Sequence, residues 1–323
     1  MSYRIFADLA ASEAALTLLR EATEGHQLLL PARRAASCLH QGQADPLMFT
    51  AEIVAGQPDP QAVQEARNLK WIQISSSSIT RYDSPAFRAL VSERNIAVCN
   101  SASVYSEACA EHALAFMLAQ SRLLPRSLST RVAGGTDIWD QLRNDSIPLR
   151  GQTVLIVGYG AIGRRLTEML APFAMQVLGC RRASRGNESV PIITPDQLAG
   201  ALGMADHVVN ILPDSTQALH FFDAARFALM KPSSIFYNIG RGTSVDQEAL
   251  LEALRQGRIK AAWLDVTDPE PLPDNHPLLA QPNCFITPHV AGGHQEESVT
   301  FVRHFVANLR RFERGQPLCD RVM

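Results

Sequence analysis

A glycine-rich turn between an apolar strand and a helix is the feature that most constrains this fold. The strand Thr153–Val157 leads into the letters GYGAIG at 158–163, and a helical pattern runs from Ile162 to Leu170. In such a unit the first glycine makes the tight turn, the second lets a pyrophosphate approach the backbone, and the third lets the helix pack on the strand. The helix start also offers free N–H groups to phosphate. The predicted cofactor contacts are Gly158, Gly160, Ala161, Ile162 and Gly163. A purely structural turn is the alternative, and the flanking strand and helix favour the nucleotide site.

Apolar runs alternate with helical patterns along the rest of the chain. Further strands are predicted at Leu69–Ile74, Ala97–Cys99, Gln176–Cys180, His207–Leu212, Ser234–Asn238, Ala261–Val266 and Cys284–Thr287. Helices are predicted at Ala10–Glu24 and at Glu107–Leu124, the second closed by Pro125. Alternating β and α units of this length imply an α/β fold with a parallel, doubly wound sheet. Strands buried on both faces of such a sheet are expected to be apolar throughout.

Composition and charge argue against several classes of protein. The 323 residues are 46% hydrophobic, enough for two domains. A net charge of −2 argues against a nucleic-acid binder, which usually carries a basic stripe. The six cysteines form no C-x-x-C pair, so neither a zinc knuckle nor a dithiol redox motif is predicted, and no metal site is expected. A disulfide framework is not expected at this chain length and cysteine density. The start lacks the pattern of a signal peptide, and no apolar run has membrane-spanning length. We therefore expect a cytoplasmic protein without a membrane or nucleic-acid partner.

The end of the second strand of the nucleotide unit indicates which nicotinamide cofactor is bound. NAD-binding units usually place a carboxylate there for the ribose 2′-OH. This chain has Cys180-Arg181-Arg182 at that position, with Arg185 close behind. Arginines bind a 2′-phosphate through charge-assisted hydrogen bonds, whereas a carboxylate would repel it. Arg181 and Arg182 therefore predict NADP, with NADPH preferred over NADH. A solvated basic loop is the alternative.

Three downstream segments carry further chemistry. Arg241 stands between glycines after an apolar strand, at 237–243. Glu270 lies in the segment 264–271, and His289 lies in the segment 286–293. A lone histidine is most often an ordinary packing residue. A histidine that accompanies an arginine and a carboxylate indicates a reaction centre.

With the glycine turn, these segments resemble the D-isomer-specific 2-hydroxyacid dehydrogenase family, in particular its glyoxylate and hydroxypyruvate reductases. The resemblance is densest over 151–292, and it includes Leu69-Lys70-Trp71-Ile72 and Ala110–Ala115. It implies two α/β domains with doubly wound parallel sheets and the cofactor between them. The Rossmann-type nucleotide domain would span 103–291. A flavodoxin-like substrate domain would take 1–102 and 292–323.

The resemblance also assigns roles to the reaction centre. Arg241 corresponds to the arginine that clamps the substrate carboxylate, a task suited to a planar guanidinium. His289 corresponds to the acid/base that protonates the carbonyl oxygen as hydride arrives. Glu270 corresponds to the carboxylate that orients this histidine and raises its pKa.

Other positions correspond to binding residues of the family. Cofactor contacts are expected at Leu212, Pro213, Thr216, Ile239, Gly240, Asp265 and Gly292, with Asp265 at the nicotinamide carboxamide. Substrate contacts are expected at the backbone N–H groups of Ser77 and Ser78, where the family often has small residues, glycine and then an aspartate. Trp139 corresponds to a tryptophan that in some reductases reaches across a dimer, and plain interface packing is an equal alternative. A homodimer is expected.

The predicted function is reduction of a small 2-keto acid, such as glyoxylate or hydroxypyruvate, to the D-2-hydroxy acid by NADPH. One alternative is an NAD-dependent enzyme similar to D-3-phosphoglycerate dehydrogenase, although many of these carry a C-terminal regulatory domain with no counterpart here. Formate dehydrogenases share the scaffold but have glutamine where this chain has Glu270. A non-catalytic nucleotide-sensing corepressor on the same scaffold is an alternative from another class.

Overall fold

The computed structural model describes residues 2–37, 42, 45–130 and 137–323. Strands in this part of the chain are β1 (Arg4–Asp8), β2 (Gln27–Leu29), β3 (Ile53–Gly56), β4 (Trp71–Ile74), β5 (Ala97–Cys99), β6 (Thr153–Val157), β7 (Gln176–Cys180), β8 (Ile192–Ile193), β9 (His207–Asn210), β10 (Ile235–Asn238), β11 (Ala261–Leu264) and β12 (Cys284–Ile286). Helices are α1 (Glu13–Ala22), α2 (Ala62–Glu65), α3 (Pro85–Glu93), α4 (Ala102–Ser121), α5 (Leu124–Ser129), α6 (Asp137–Asp145), α7 (Ala161–Leu170), α8 (Leu198–Met204), α9 (Ala224–Ala228), α10 (Gln247–Arg255) and α11 (Glu297–Glu313).

The chain divides into two compact units. The first unit comprises Met1–Tyr105 and Gly293–Met323, and the second comprises Ser106–Gly292. The predicted boundary after residue 102 lies three residues before the first division of the structure. The predicted boundary after residue 291 lies one residue before the second division. The division near residue 105 lies within α4.

The first unit contains a five-stranded parallel sheet in the order β2-β1-β3-β4-β5. This is the flavodoxin-like strand order. β3 and β4 are buried at every residue, as expected for strands covered on both faces. On one face a buried core collects Ile72, Tyr82 and Phe87. The side chain of Trp71 stacks on Phe305 of α11, with ring centroids 5.2 Å apart.

The second unit contains a seven-stranded parallel sheet in the order β12-β11-β10-β9-β6-β7-β8. The order reverses between β6 and β9, which pair directly, so their carboxyl ends form a topological switch point, where open α/β sheets bind their ligands. Buried Val208, Phe236 and Leu264 contribute to the core on one face. The predicted α/β fold with two doubly wound parallel sheets is confirmed.

The end of α4 corrects one prediction. The helix begins at Ala102 and ends at Ser121, so Pro125 does not close it. The chain turns at Leu123, whose φ of 52° is left-handed, and Pro125 lies in the first turn of α5. Proline is tolerated there because the N–H that it lacks has no partner within a helix. Among the described residues, no helix is both long and apolar enough to cross a membrane.

Candidate active site

The glycine turn has the backbone geometry that a bound pyrophosphate requires. Gly158 follows β6 with a φ of +95°, and a Cβ there would lie 2.7 Å from the carbonyl oxygen of Ile211. Gly160 precedes α7. The first intrahelical bond runs from the N–H of Arg164 to the oxygen of Gly160. Within the described chain, the preceding N–H groups of α7 have no acceptor; they belong to Ala161, Ile162 and Gly163. These donors lie at the switch point and fit a phosphate.

At the end of β7, the fold adds a carboxylate to the two arginines that the sequence analysis singled out. No carboxylate follows this strand directly, but the fold brings Glu188 back to it. Nη1 of Arg181 lies 3.1 Å from Oε1 of Glu188, and both side chains are largely buried. Arg182 points to a neutral partner, with Nη1 donating to Oε1 of Gln217 at 3.1 Å. The two adjacent arginines are therefore in different electrostatic environments.

The backbone around Arg241 is held by buried amides that the sequence analysis did not single out. Asn210 and Asn238 end β9 and β10, and Nδ2 of Asn238 donates to the carbonyl oxygen of Arg241 at 3.1 Å. Oγ of Ser244 donates to the same oxygen at 2.6 Å and accepts from Nδ2 of Asn210 at 2.7 Å. Polar residues at the carboxyl ends of two buried strands were the available signal. Predicted Ile239 is buried beside this network, and the N–H of predicted Gly240 donates to Asn238.

The guanidinium of Arg241 is charged within a partly buried pocket. Nη1 donates to the carbonyl oxygen of Gly240 at 2.6 Å. Burial lowers the pKa of Arg241, and the carboxylates of Asp214 and Glu270 oppose this shift. An arginine stays protonated despite such a shift, because its ordinary pKa is far above neutrality. Arg241 thus remains a cation that is electrostatically coupled to Glu270.

His289 and Glu270 are in direct contact. Nδ1 of His289 lies 2.6 Å from Oε1 of Glu270, and both side chains are about one-third exposed, at 30% and 38%. Nε2 of His289 has no partner among the described residues. The backbone at His289 has a φ of 51°, and its N–H donates to the carbonyl oxygen of Asp265 at 2.8 Å. The imidazole is therefore oriented through Nδ1 and open at Nε2.

Asp265 holds the segment that carries His289. Its side chain is buried; Oδ1 accepts from Oγ1 of Thr287 at 2.6 Å and from the N–H of Val290 at 2.9 Å. Oδ2 accepts from the N–H of Ala291 at 2.9 Å. A carboxylate has about four acceptor positions, so one remains for another donor. Asp265 therefore supports the loop that carries His289.

His112 extends this network from α4. Its ring packs edge-on against Phe116, with centroids 4.3 Å apart. Nε2 also lies 3.1 Å from Oγ1 of Thr287 and 3.6 Å from Oδ1 of Asp265. Desolvation lowers the pKa of His112, and Asp265 partly opposes the shift. No sequence spacing indicates this pairing, because α4 and the 287–291 segment are far apart in the chain.

The remaining predicted cofactor contacts also lie in the second unit. Leu212 and Pro213 follow β9, and a Cβ at Gly240 would come within 2.6 Å of the oxygen of Leu212. Thr216 is exposed in the same loop, and Gly292 ends the unit. The side chain of Trp139 lies on α6, is 50% exposed and packs under the guanidinium of Arg143 at 4.5 Å.

The predicted substrate contacts Ser77 and Ser78 belong to the first unit. Nδ2 of Asn100 donates to the oxygen of Ser77 at 2.7 Å, and Oγ of Ser76 donates to the oxygen of Ser78 at 2.8 Å. Buried Gln57 donates to Oγ of Ser76 at 2.8 Å. The carbonyl groups are thus fixed, while the N–H groups of Ser77 and Ser78 have no acceptor in the described part of the chain.

Comparison with known proteins shows similarity across most of the chain. Residues 114–291 match the family D-isomer specific 2-hydroxyacid dehydrogenase, NAD binding domain. Human glyoxylate reductase/hydroxypyruvate reductase is 35% identical over 236 residues, which are 71% of this chain and 70% of that protein. D-3-phosphoglycerate dehydrogenase of Methanocaldococcus jannaschii is 31% identical over 79% of this chain, and the match spans 47% of that protein. A crystal structure of a D-isomer specific 2-hydroxyacid dehydrogenase family protein from Aeromonas salmonicida has a TM-score of 0.75 and 26% identity, covering 100% of this chain and 99% of that one.

Proposed function

Because the chain belongs to the D-isomer specific 2-hydroxyacid dehydrogenases, nicotinamide-dependent enzymes acting on CH–OH donors, we propose that it reduces a small 2-keto acid to the D-2-hydroxy acid with NADPH. The observation that carries this proposal is the contact between Nδ1 of His289 and Oε1 of Glu270. The carboxylate of Glu270 also interacts electrostatically with the charged guanidinium of Arg241. Glyoxylate and hydroxypyruvate are the favoured substrates, since the human relative is named for both.

Arg241 is the proposed clamp for the substrate carboxylate. Its pocket is partly desolvated, so an ionic hydrogen bond formed there is stronger than in water. The planar guanidinium presents donors in a fork that matches a carboxylate. The open N–H groups of Ser77 and Ser78 are proposed as further donors to the same anion.

His289 is the proposed proton donor. As an imidazolium it donates from Nδ1 to Glu270 and from Nε2 to the keto oxygen of the substrate. The negative charge that builds on this oxygen during reduction is then neutralised, which is general acid catalysis. Glu270 orients the ring through Nδ1. In the oxidation direction the same nitrogen accepts the proton.

The cofactor residues fit a nicotinamide dinucleotide. The open N–H groups of Ala161, Ile162 and Gly163 would hold the pyrophosphate, and the absence of a side chain at Gly160 admits it. Ile239, Gly240 and Gly292 would line the nicotinamide end, with Leu212, Pro213 and Thr216 along the cofactor. Asp265 has one acceptor position for the carboxamide. When bound, the cofactor supplies the hydride. Arginines in the loop after β7 favour NADPH over NADH.

A panel of 2-keto acids assayed with NADPH and NADH tests the proposal. We expect turnover of glyoxylate or hydroxypyruvate with a higher kcat/KM for NADPH. The NAD-dependent alternative is oxidation of 3-phosphoglycerate, and the Methanocaldococcus relative makes it the appropriate competing assay. Tight NADPH binding without turnover of any keto acid would contradict the proposal and favour a nucleotide-sensing role.

A homodimer is also proposed. The part of the second unit formed by α5, α6 and the segment after them exposes several large apolar side chains, a pattern that often marks an interaction surface. These are Leu124, Leu128, Ile138, Trp139 and Ile147. Sedimentation of the wild type and of a Leu128→Glu variant measures the state, and a monomeric wild type would contradict this part of the proposal.

A further inference from the structure

The segment Arg181–Glu188, here called the basic loop, is organised around one carboxylate. Oε1 of Glu188 accepts from the N–H of Arg185 at 2.7 Å and from Nη1 of Arg181 at 3.1 Å. Oε2 accepts from Oγ of Ser184 at 2.8 Å and from the N–H of Gly186 at 3.0 Å. All four acceptor positions of the carboxylate are therefore occupied by donors of the loop itself.

The ion pair neutralises Arg181. The side chain of Glu188 is only 4% exposed and that of Arg181 is 18% exposed, so water screens this pair less than it screens a surface pair. The loop donors, with the N–H of Arg185 first, lower the pKa of Glu188 to about 2. The carboxylate therefore stays ionised across the neutral range, and the charge of Arg181 is balanced within the protein.

The other two arginines of the loop remain available to an incoming anion. Arg182 is exposed, and within the described part of the chain the partner of its guanidinium is the neutral Gln217. Arg185 is exposed, and among the described residues its guanidinium has no partner, although its backbone N–H is bound to Glu188. The loop thus presents two uncompensated positive charges at the end of β7, where a Rossmann-type unit meets the adenosine ribose.

We propose that Glu188 is a positioning residue for cofactor selection: it neutralises Arg181 and fixes the turn at Ser184–Gly186, so that Arg182 and Arg185 meet the 2′-phosphate of NADPH. The proposal rests on the proposed function for the identity of the cofactor. Arg185, rather than Arg181, is thus the second proposed contact of the phosphate. A guanidinium that is already paired with a carboxylate gains less binding free energy from a second anion.

The variant Glu188→Gln distinguishes a positioning role of Glu188 from a simple effect of its charge, because the two roles predict opposite changes in the affinity for NADPH. Removing a negative charge near the site would by itself tighten binding of a 2′-phosphate. A loosened loop would weaken it. We expect the Kd for NADPH to rise at least fivefold while the Kd for NADH changes less than twofold. Titration of the fluorescence of bound reduced nicotinamide measures both constants, and 2′,5′-ADP against 5′-AMP isolates the phosphate.

Three further variants complete the test. Arg182→Gln and Arg185→Gln are each expected to raise the Kd for NADPH at least tenfold and to spare NADH. Glu248→Gln, at an exposed position of α10, is the matched control for loss of a carboxylate, and thermal midpoints verify that each variant folds.

The outcomes are decisive in both directions. Tighter or unchanged NADPH binding in Glu188→Gln would overturn the positioning role. Unchanged NADPH binding in both Arg182→Gln and Arg185→Gln would also overturn the proposal. These are binding measurements without substrate, so a wild-type protein that reduces no keto acid would refute the proposed function and leave this test intact.

Discussion

Nδ1 of His289 lies 2.6 Å from Oε1 of Glu270, while the main-chain N–H of His289 is bound by the carbonyl oxygen of Asp265 at 2.8 Å. The residue adopts a φ of 51°, a conformation that costs a non-glycine residue roughly 1–2 kcal/mol. The contact of the imidazole with Glu270 and the hydrogen bond of the main-chain N–H to Asp265 offset this cost. They also determine which ring nitrogen is available for a substrate.

Replacing the imidazole tests its proposed role in proton transfer. His289→Gln is expected to lower kcat by about 10²- to 10⁴-fold, the usual contribution of general acid catalysis, and to leave the Kd for NADPH within a few fold. Steady-state kinetics and fluorescence titration measure the two quantities. His294→Gln, in the exposed segment nearby, is the matched control. Loss of cofactor binding in the first variant would instead make His289 a structural residue.

The shape of the Arg241 side chain is expected to matter as much as its charge. Arg241→Lys keeps the charge but loses the fork geometry. The loss of one charge-assisted hydrogen bond, about 1.5–3 kcal/mol, corresponds to a rise of about 10- to 100-fold in KM for the keto acid. Arg258→Lys, at an exposed position of the same unit, is the control. Equal KM values in Arg241→Lys and the wild type would refute the clamp.

Asp265 is expected to affect both stability and turnover. Asp265→Asn replaces one acceptor oxygen with an N–H donor that faces the N–H groups of Val290 or Ala291. A lost hydrogen bond to a charged group costs about 1.5–3 kcal/mol, so the thermal midpoint should fall by several degrees. With the His289 segment loosened, kcat should fall at least tenfold. Asp268→Asn is the control, since Asp268 is exposed. Wild-type kcat in Asp265→Asn would contradict the supporting role.

Acid should destabilise the second unit through His207. Nδ1 of this buried histidine contacts the hydroxyl of Tyr237 at 2.9 Å, and Nε2 contacts Oε1 of Gln152. Burial lowers the pKa of His207 from 6.5 to about 4, with Asp206 opposing the shift and Lys231 adding to it. The unfolded chain binds the proton at higher pH, so stability is retained above about pH 6.5 and is lost as the pH falls toward 4.

The size of this loss follows from the shift in pKa. One pKa unit corresponds to about 1.4 kcal/mol, so His207 removes about 3 kcal/mol of unfolding free energy by pH 4. Urea unfolding at pH 7.5, 6 and 5 measures the slope. His207→Gln should show a smaller decrease with falling pH, whereas the exposed His294→Gln should follow the wild type. Identical slopes in His207→Gln and the wild type would exclude His207 as the cause.

The sequence determined the secondary structure best where a strand is a continuous apolar run. β5, β6 and β7 match their predicted bounds to the residue. β1, β2 and β3 were not identified. A short apolar run is compatible with a strand and with a buried helix, and the hydrogen bonds of a neighbouring strand decide between them.

The sequence also determined the family and the residues of the glycine turn, because these depend on local spacing and on the order of motifs. Only the tertiary structure decided which groups compensate each other's charge. Glu188, seven residues beyond Arg181, returns to that arginine, and His112 on α4 approaches Asp265. The closing of a loop and the packing of a distant helix set these pairings, and neither leaves a periodic pattern in the chain. The glycine turn therefore indicates a nucleotide site, whereas the folded basic loop decides that Arg181 is paired with Glu188.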